Sequence, residues 1–299
     1  MTVAIALELN DYMGIGCADE RGTMGTGSER SYDVFEKIHV PSKSVFVAGS
    51  GNLSLLDEFY KKAQGVTDKS TPEDVAEALR KASLGVQDAI MQTDAFDYFG
   101  VDREKYMRGE AVLSKELYGM LSERIDAIKR SVKGNTMFIS GYGNGGFQIF
   151  YLKPCLAPGH FRKYVTIGSG SDLADAYMSK RLHDMEPKAR SNISLSRGCK
   201  MLMEATRASW HNTGVGGRTQ VVWTGKDTNV TQLDYEVSNT LQNILFLEER
   251  GLVDSDFTDG LFKDAVEGGA EYADLRKVLK RKVPKDALVD AFFVEGLHM

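Results

Sequence analysis

The sequence predicts an α+β protein in which sheet packs on sheet and helices lie outside. Two observations carry that prediction. Segments with strand and helix patterns run in the order strands, helices, strands, helices, strand, and beyond Gly225 the pattern turns to polar helical stretches. The chain has 299 residues, 42% of them hydrophobic, enough for a substantial core without disulfide staples. Residues 1–225 are expected to form the main domain, with a helical insertion over about 100–132, and residues 226–299 a helical extension.

In TVAIALEL the residues Val3, Ile5, Leu7 and Leu9 alternate with Ala4, Ala6 and Glu8, which reads as a strand with one face buried. A turn at Asn10 and Asp11 leads to a second strand over Met13 to Ala18, ended by Asp19. A glycine-rich stretch precedes EKIHV, and past Pro41 comes SVFVAG, two more strands. From Asn52, Leu53, Leu56, Phe59 and Tyr60 share one helical face. The next helix opens with Thr71 as cap and proline at its first position. In the charged 102–131 region, Leu113, Leu117, Leu121, Ile125 and Ile128 keep helical spacing. TMFISGY and FQIFYL form a hairpin through GNGG, and KYVTIG runs through GSGS into a helix. A long helix over about Lys188 to Trp210 and the strand TQVVWTG complete the domain, followed by helices in DYEVSNTLQNILFLEE, SDFTDGLFKDAVEG and YADLRKVLKRK.

The 37 basic and 42 acidic residues leave a net charge of -5 without long runs of one sign, which argues against nucleic acid or an anionic membrane as the main partner. The three cysteines, Cys17, Cys155 and Cys199, lack CxxC or CxxH spacing and read as small buried hydrophobes. The five histidines show no HExxH or paired spacing, so no metal site is expected. No apolar run reaches the length of a membrane span and no signal-peptide pattern opens the chain. Met1 is therefore expected to be the true start, and the location cytoplasmic.

Removal of Met1 would leave Thr2 with a free amine at the start of a strand. A threonine hydroxyl needs an adjacent base, and the α-amine of the same residue, with an unperturbed pKa of roughly 7.7–8, can serve. A nearby ammonium lowers that pKa and leaves more neutral amine. Lys37 is the candidate ammonium and Asp19 the candidate carboxylate that holds it, although each taken singly reads as a solvated surface charge.

The ordered set TVAIALELNDYMGIGCADER, KIHV, VFVAGSGN, VTIGSGSDLADAYMSKRL and GVGGRTQVVW resembles proteasome β-type peptidases, including the bacterial relatives HslV and Anbu. The resemblance spans about Thr2 to Trp223 and rests on order and spacing more than on any single motif. It implies the four-layer αββα sandwich of N-terminal-nucleophile (Ntn) hydrolases, with Thr2 as nucleophile, Asp19 and Lys37 as its charged pair, Gly49 donating an N–H to the oxyanion, and Ser169 bonding near the threonine amine. Where that family carries an aspartate and a serine before a double glycine, this chain has Asn212 and Val215. Asn212 donates and accepts hydrogen bonds but carries no charge, and Val215 has no hydroxyl.

The resemblance thus implies a threonine-type peptidase or amidohydrolase that acts on peptide or unfolded-protein substrates and needs no cofactor. It implies a homo-oligomeric ring or open helical stack and allows an ATPase partner. Leu53, Leu56 and Phe59, or Leu241, Ile244 and Leu245, are the apolar faces expected to meet a neighbouring subunit. Two other readings stand beside it: an inactive structural subunit of such an assembly, and a transpeptidase or ligase in which an amine replaces water.

Overall fold

The computed structural model describes residues 2–20, 22–23, 31–32, 36–211 and 215–288, and within them two five-stranded antiparallel sheets carry the architecture. The first sheet has the order β10 (Tyr164–Ile167), β1 (Ala4–Asn10), β2 (Met13–Asp19), β11 (Thr219–Gly225), β12 (Thr228–Gln232). The second runs β5 (Ile38–Ser42), β6 (Val45–Ser50), β7 (Thr136–Gly143), β8 (Gly146–Leu152), β9 (Gly159–Phe161). A short ribbon joins β3 (Gly22–Thr23) to β4 (Ser31–Tyr32). The α+β class expected from the order of segments is what the chain adopts.

The first strand departs from its expected form. It is buried on both faces, because its alternation is large against small and not apolar against polar. Val3, Ile5, Leu7 and Leu9 enter a core shared with helices, while Ala4 and Ala6 enter a second core shared with the other sheet. That second core is filled from the opposite side by Phe46, Phe138 and Phe147. Strand β2 makes room for the rings with glycine. A Cβ on Gly14 would stand 2.2 Å from the Phe147 ring, and one on Gly16 would stand 2.4 Å from Phe46.

The outer face of the second sheet packs Val45, Val47, Met137 and Ile139 against α1 (Leu53–Lys62) and α2 (Pro72–Met91). Both helices start as their sequences direct: Asn52 accepts the Ser54 N–H, and Thr71 and Asp74 form a reciprocal capping box. After a π-helical turn at Gln92–Asp97, α3 (Arg103–Met107) and α4 (Lys115–Lys133) follow, and Phe96, Leu121, Ile125 and Ile128 make a small core of their own.

The outer face of the first sheet is covered by α5 (Ser171–His183), α7 (Leu195–Ala208) and α8 (Tyr235–Glu249), while α9 (Ser255–Val266) packs on α7 and α8 and α10 (Tyr272–Lys282) on α8, all joined in one core. The single long helix expected before Trp210 is two. Helix α6 (Pro187–Arg190) ends, Ile193 donates its N–H to the Leu9 carbonyl at the end of β1, and Ser194 caps α7. Burial of Ile193 and the serine cap outweigh continuous helix. The sheet also continues past Gly225 into β12, which the helical reading missed.

The helices after Gly225 share the core of the first sheet. Lys200 of α7 binds Glu248 of α8 at 3.0 Å and Asp259 of α9 at 2.6 Å. Leu241, Ile244 and Leu245 are spent in that core, as Leu56 and Phe59 are in theirs, so these residues are not free to meet a neighbour. Of the apolar residues expected at a subunit contact, Leu53 is exposed. Among the described residues, no helix is long and apolar enough to cross a membrane.

The fit between Gly16 and Phe46 is testable as a coupling. Gly16→Ala alone should destabilise by about 1–3 kcal/mol through overpacking, and Phe46→Ala alone by about 3–5 kcal/mol. In the double variant the added methyl enters vacated space, so the urea-unfolding free energies should fall clearly short of the summed losses.

Candidate active site

Thr2 and Val3 lead into β1 and are fixed by backbone bonds on every side. The Thr2 N–H donates to Ser169 Oγ at 3.2 Å, and the Thr2 carbonyl accepts the Gly170 N–H at 3.1 Å. Next to it, the Val3 N–H donates to Asp19 Oδ1 at 2.8 Å, and the Val3 carbonyl accepts the Asp19 N–H at 3.0 Å. Thr2 is 6% exposed. A β-branched pair of residues suits this extended, bonded backbone.

Asp19 is the last residue of β2 and is wholly buried. Besides the Val3 N–H, its Oδ1 accepts from Lys37 Nζ at 2.9 Å, while Oδ2 accepts the Gly216 N–H at 3.3 Å. Lys37 stands just before β5, and the next residue, Ile38, donates its N–H to Gln220 Oε1 of β11 at 3.1 Å. The ion pair therefore spans from the segment entering β5 of one sheet to the end of β2, the central strand of the other. Reading either charge singly as a solvated surface group does not hold: the two side chains are 0–1% exposed.

The turn between β10 and α5 carries Ser169. It works because Gly168 has a φ of 101° and because a Cβ there would meet the Thr2 carbonyl oxygen at 2.1 Å. Beneath the turn, Ser209 Oγ donates to the Gly170 carbonyl at 2.9 Å. Gly49 lies near the end of β6, and the following residue, Ser50, places its Oγ 3.2 Å from where a Gly168 Cβ would sit. Gly49 also has a packing reason to be glycine, since a Cβ would press on Leu56 and on Tyr60 Oη at 2.8–2.9 Å.

The structure thus brings Thr2, Asp19, Lys37 and Ser169 into one connected set, with Gly49 at the neighbouring strand end. Asn212 lies outside the described residues. Val215 is 2% exposed and packs into the helix-side core, 3.0 Å from where a Gly170 Cβ would stand. Several contributors were not anticipated. Gly216 and Gly170 act through their backbone N–H groups. Ser209 supports the turn, and Glu20, beside the pair, is half buried with its N–H on the Arg218 carbonyl. The positive-φ glycines Gly216 and Gly217 form the turn before β11, and nothing in the sequence signals which N–H would reach Asp19.

Burial pushes the Asp19 carboxyl above the ordinary carboxylate range, and the Lys37 ammonium and the Val3 and Gly216 N–H groups work against that shift. Burial likewise raises Glu20, with the Arg218 guanidinium opposing it. The Cys17 thiol, fully buried behind the site, is pushed up to about 12 and is no nucleophile near neutral pH. Among the described residues, no group of three or more His, Cys, Asp or Glu converges as a metal site. What the arrangement offers chemically is a hydroxyl acceptor on the nitrogen of residue 2 and a carboxylate that ties a fixed ammonium to the backbone N–H of residue 3.

The chain matches no protein-family model and no curated protein sequence.

Removing one partner of the pair leaves the other charge in an apolar interior. Lys37→Met should cost about 3–5 kcal/mol near pH 7 by urea unfolding. That cost should shrink as pH falls, because the stranded Asp19 carboxyl takes up a proton and becomes neutral. Asp19→Asn combined with Lys37→Met should be more stable at neutral pH than Lys37→Met alone. The wild-type carboxyl follows the same linkage. Its folded pKa lies above its unfolded one, so its own contribution is fully present below the unfolded value and is lost as pH rises through the raised value.

Proposed function

We propose that the protein is an Ntn amidohydrolase of the threonine-peptidase type, with Thr2 as nucleophile once Met1 has been removed. In this reading the two sheets and their outer helices are the four-layer αββα sandwich of the proteasome β-type family that the sequence resembles. The observation that carries it is the buried Lys37–Asp19 pair, whose carboxylate also holds the backbone N–H adjacent to Thr2. A purely structural pair at this depth roughly breaks even against apolar packing. A pair that lowers the pKa of a neighbouring amine has a reason to be kept there.

The chemistry follows from the freed amine. In its neutral form it takes the proton from Thr2 Oγ, and the oxygen attacks the substrate carbonyl carbon, with the oxyanion received by the N–H of Gly49. The C–N bond breaks as the ammonium of Thr2 returns the proton to the departing nitrogen, leaving an ester on Oγ. Water, deprotonated by the same amine, then cleaves the ester. Ser169 Oγ, already within hydrogen-bond distance of the Thr2 nitrogen, orients that amine through both steps. Assembly into a ring or open stack of identical subunits belongs to the same reading, as do peptide or unfolded-protein substrates.

One observation favours a second reading, an inactive subunit with the same fold. Val215 stands where the resembling family has a serine, and here it is core and not site.

Intact mass and an electrophilic peptide probe separate the two. Under the first reading the purified protein lacks Met1, and the probe attaches at Thr2 alone. Thr2→Ala should abolish labelling with the fold unchanged by circular dichroism. Loss of the ammonium in Lys37→Ala should slow labelling about tenfold or more at neutral pH, since each unit added to the amine pKa removes about nine-tenths of the neutral base. A folded, Met1-free protein that does not label would establish the inactive reading for this class of probe.

A further inference from the structure

A cavity of about 340 Å³ opens beside Thr2, between the ends of β7 and β8 in one sheet and the turn after β10 in the other. Its wall includes Gly168, which packs on the Thr2 carbonyl, and Ser169, whose Oγ accepts the Thr2 N–H. The rest of the lining is rich in hydroxyls, from Ser50, Thr136, Tyr151, Thr166 and Ser171. Lys153, one residue past β8, is the charged side chain on this wall, and no carboxylate lines the cavity among the described residues.

The position of the cavity relative to Thr2 decides which part of a substrate would fill it. In amide cleavage by an N-terminal nucleophile, the α-amine that accepts the hydroxyl proton also returns it to the departing nitrogen. The amine half of the substrate therefore lies on the side of the Thr2 nitrogen. That nitrogen points to Ser169 Oγ, which is wall of this cavity. The volume is at the lower end for a small-molecule site, room for roughly one or two residues.

We propose that this cavity receives the amine half of the scissile amide and selects amine halves bearing a carboxylate close to the cut, from an acidic side chain or from a free α-carboxyl group. The proposal rests on Thr2 being the nucleophile. A carboxylate is an acceptor with several lone pairs, and the wall offers it hydroxyl donors and one ammonium. A lysine or arginine in the same place would meet the Lys153 ammonium with no anion to offset it. Because Lys153 is exposed, the selection is moderate and weakens with salt.

The test uses matched synthetic peptides at low salt and mass spectrometry of the products, with probe labelling of Thr2 run on each sample. One pair carries Glu or Gln immediately after the cut found in a mixed-peptide digest. The other pair releases a single residue as free acid or as amide. The wild type should favour the acidic member of at least one pair by about five- to tenfold in kcat/KM. Which pair responds tells side-chain from terminal carboxylate. Lys153→Met should bring the ratio to near one and Lys153→Glu should bring it below one; because each ratio is internal to a sample, a general change in activity cancels. Cleavage and Thr2 labelling without acid preference in either pair, or a preference unchanged in Lys153→Glu, would overturn the assignment of the cavity and leave the nucleophile standing. Neither cleavage nor labelling in the wild type would overturn both.

Discussion

Two opposite charges removed entirely from water are tolerable only when geometry and hydrogen bonding are close to complete, and the Asp19–Lys37 pair meets that demand with atoms from four separate parts of the chain. Oδ1 takes the Val3 N–H and the Lys37 ammonium; Oδ2 takes the Gly216 N–H. Each of those partners is fixed by an element that must already be in place: β1 beside β2, the segment entering β5, and the glycine turn before β11. The pair is a poor source of net stability. It is a strong constraint on arrangement, because any displacement of one sheet relative to the other opens a gap at a buried charge.

Packing between the sheets supplies the complementary constraint. Around β1 and β2 the core there is asymmetric, with small residues on the first sheet, Ala4, Ala6 and Ala18, against large rings on the second, Phe46, Phe138 and Phe147. Gly14 and Gly16 extend the same asymmetry to β2. Interiors pack to the density of organic crystals, so such a fit has few alternatives in register. The separation that lets Phe46 fit beneath Gly16 also brings Lys37 within reach of Asp19, three residues further along the same strand. Burial in the core and geometry in the site are two readings of one spacing.

Much of this was legible in the residues and some of it could not be. The hairpin of β1 and β2, both capped helices of the second layer and the strand running through GSGS into α5 follow from periodicity, caps and turn residues, which act over a few neighbouring positions. The break between α6 and α7 did not, since it depends on Ile193 bonding to Leu9, a partner far back in the chain. β12 escaped because TNVTQ is polar and becomes strand by pairing with β11. In the site, the types and order of Thr2, Asp19, Lys37 and Ser169 could be read, and their joining could not: a charged residue in a sequence looks the same whether solvated or buried. Gly216 contributes a backbone N–H, and no side chain announces it.

The place of β1 has a consequence for the order in which the molecule comes into being. It precedes both its partners in the chain, yet it is an interior strand whose neighbours are β2 and β10, and the atoms that hold Thr2 belong to residues 169 and 170. The carboxylate beside it waits longer still, for Gly216. A chain emerging from the ribosome with its N-terminus leading must carry that first strand unpaired on one edge through most of its synthesis. Under the proposed mechanism, removal of Met1 in that interval would expose the Thr2 amine before the surroundings that lower its pKa exist. On that reading topology alone would separate processing of the terminus from its activation, since the amine would gain the full set of groups around it only after Gly216 had been made.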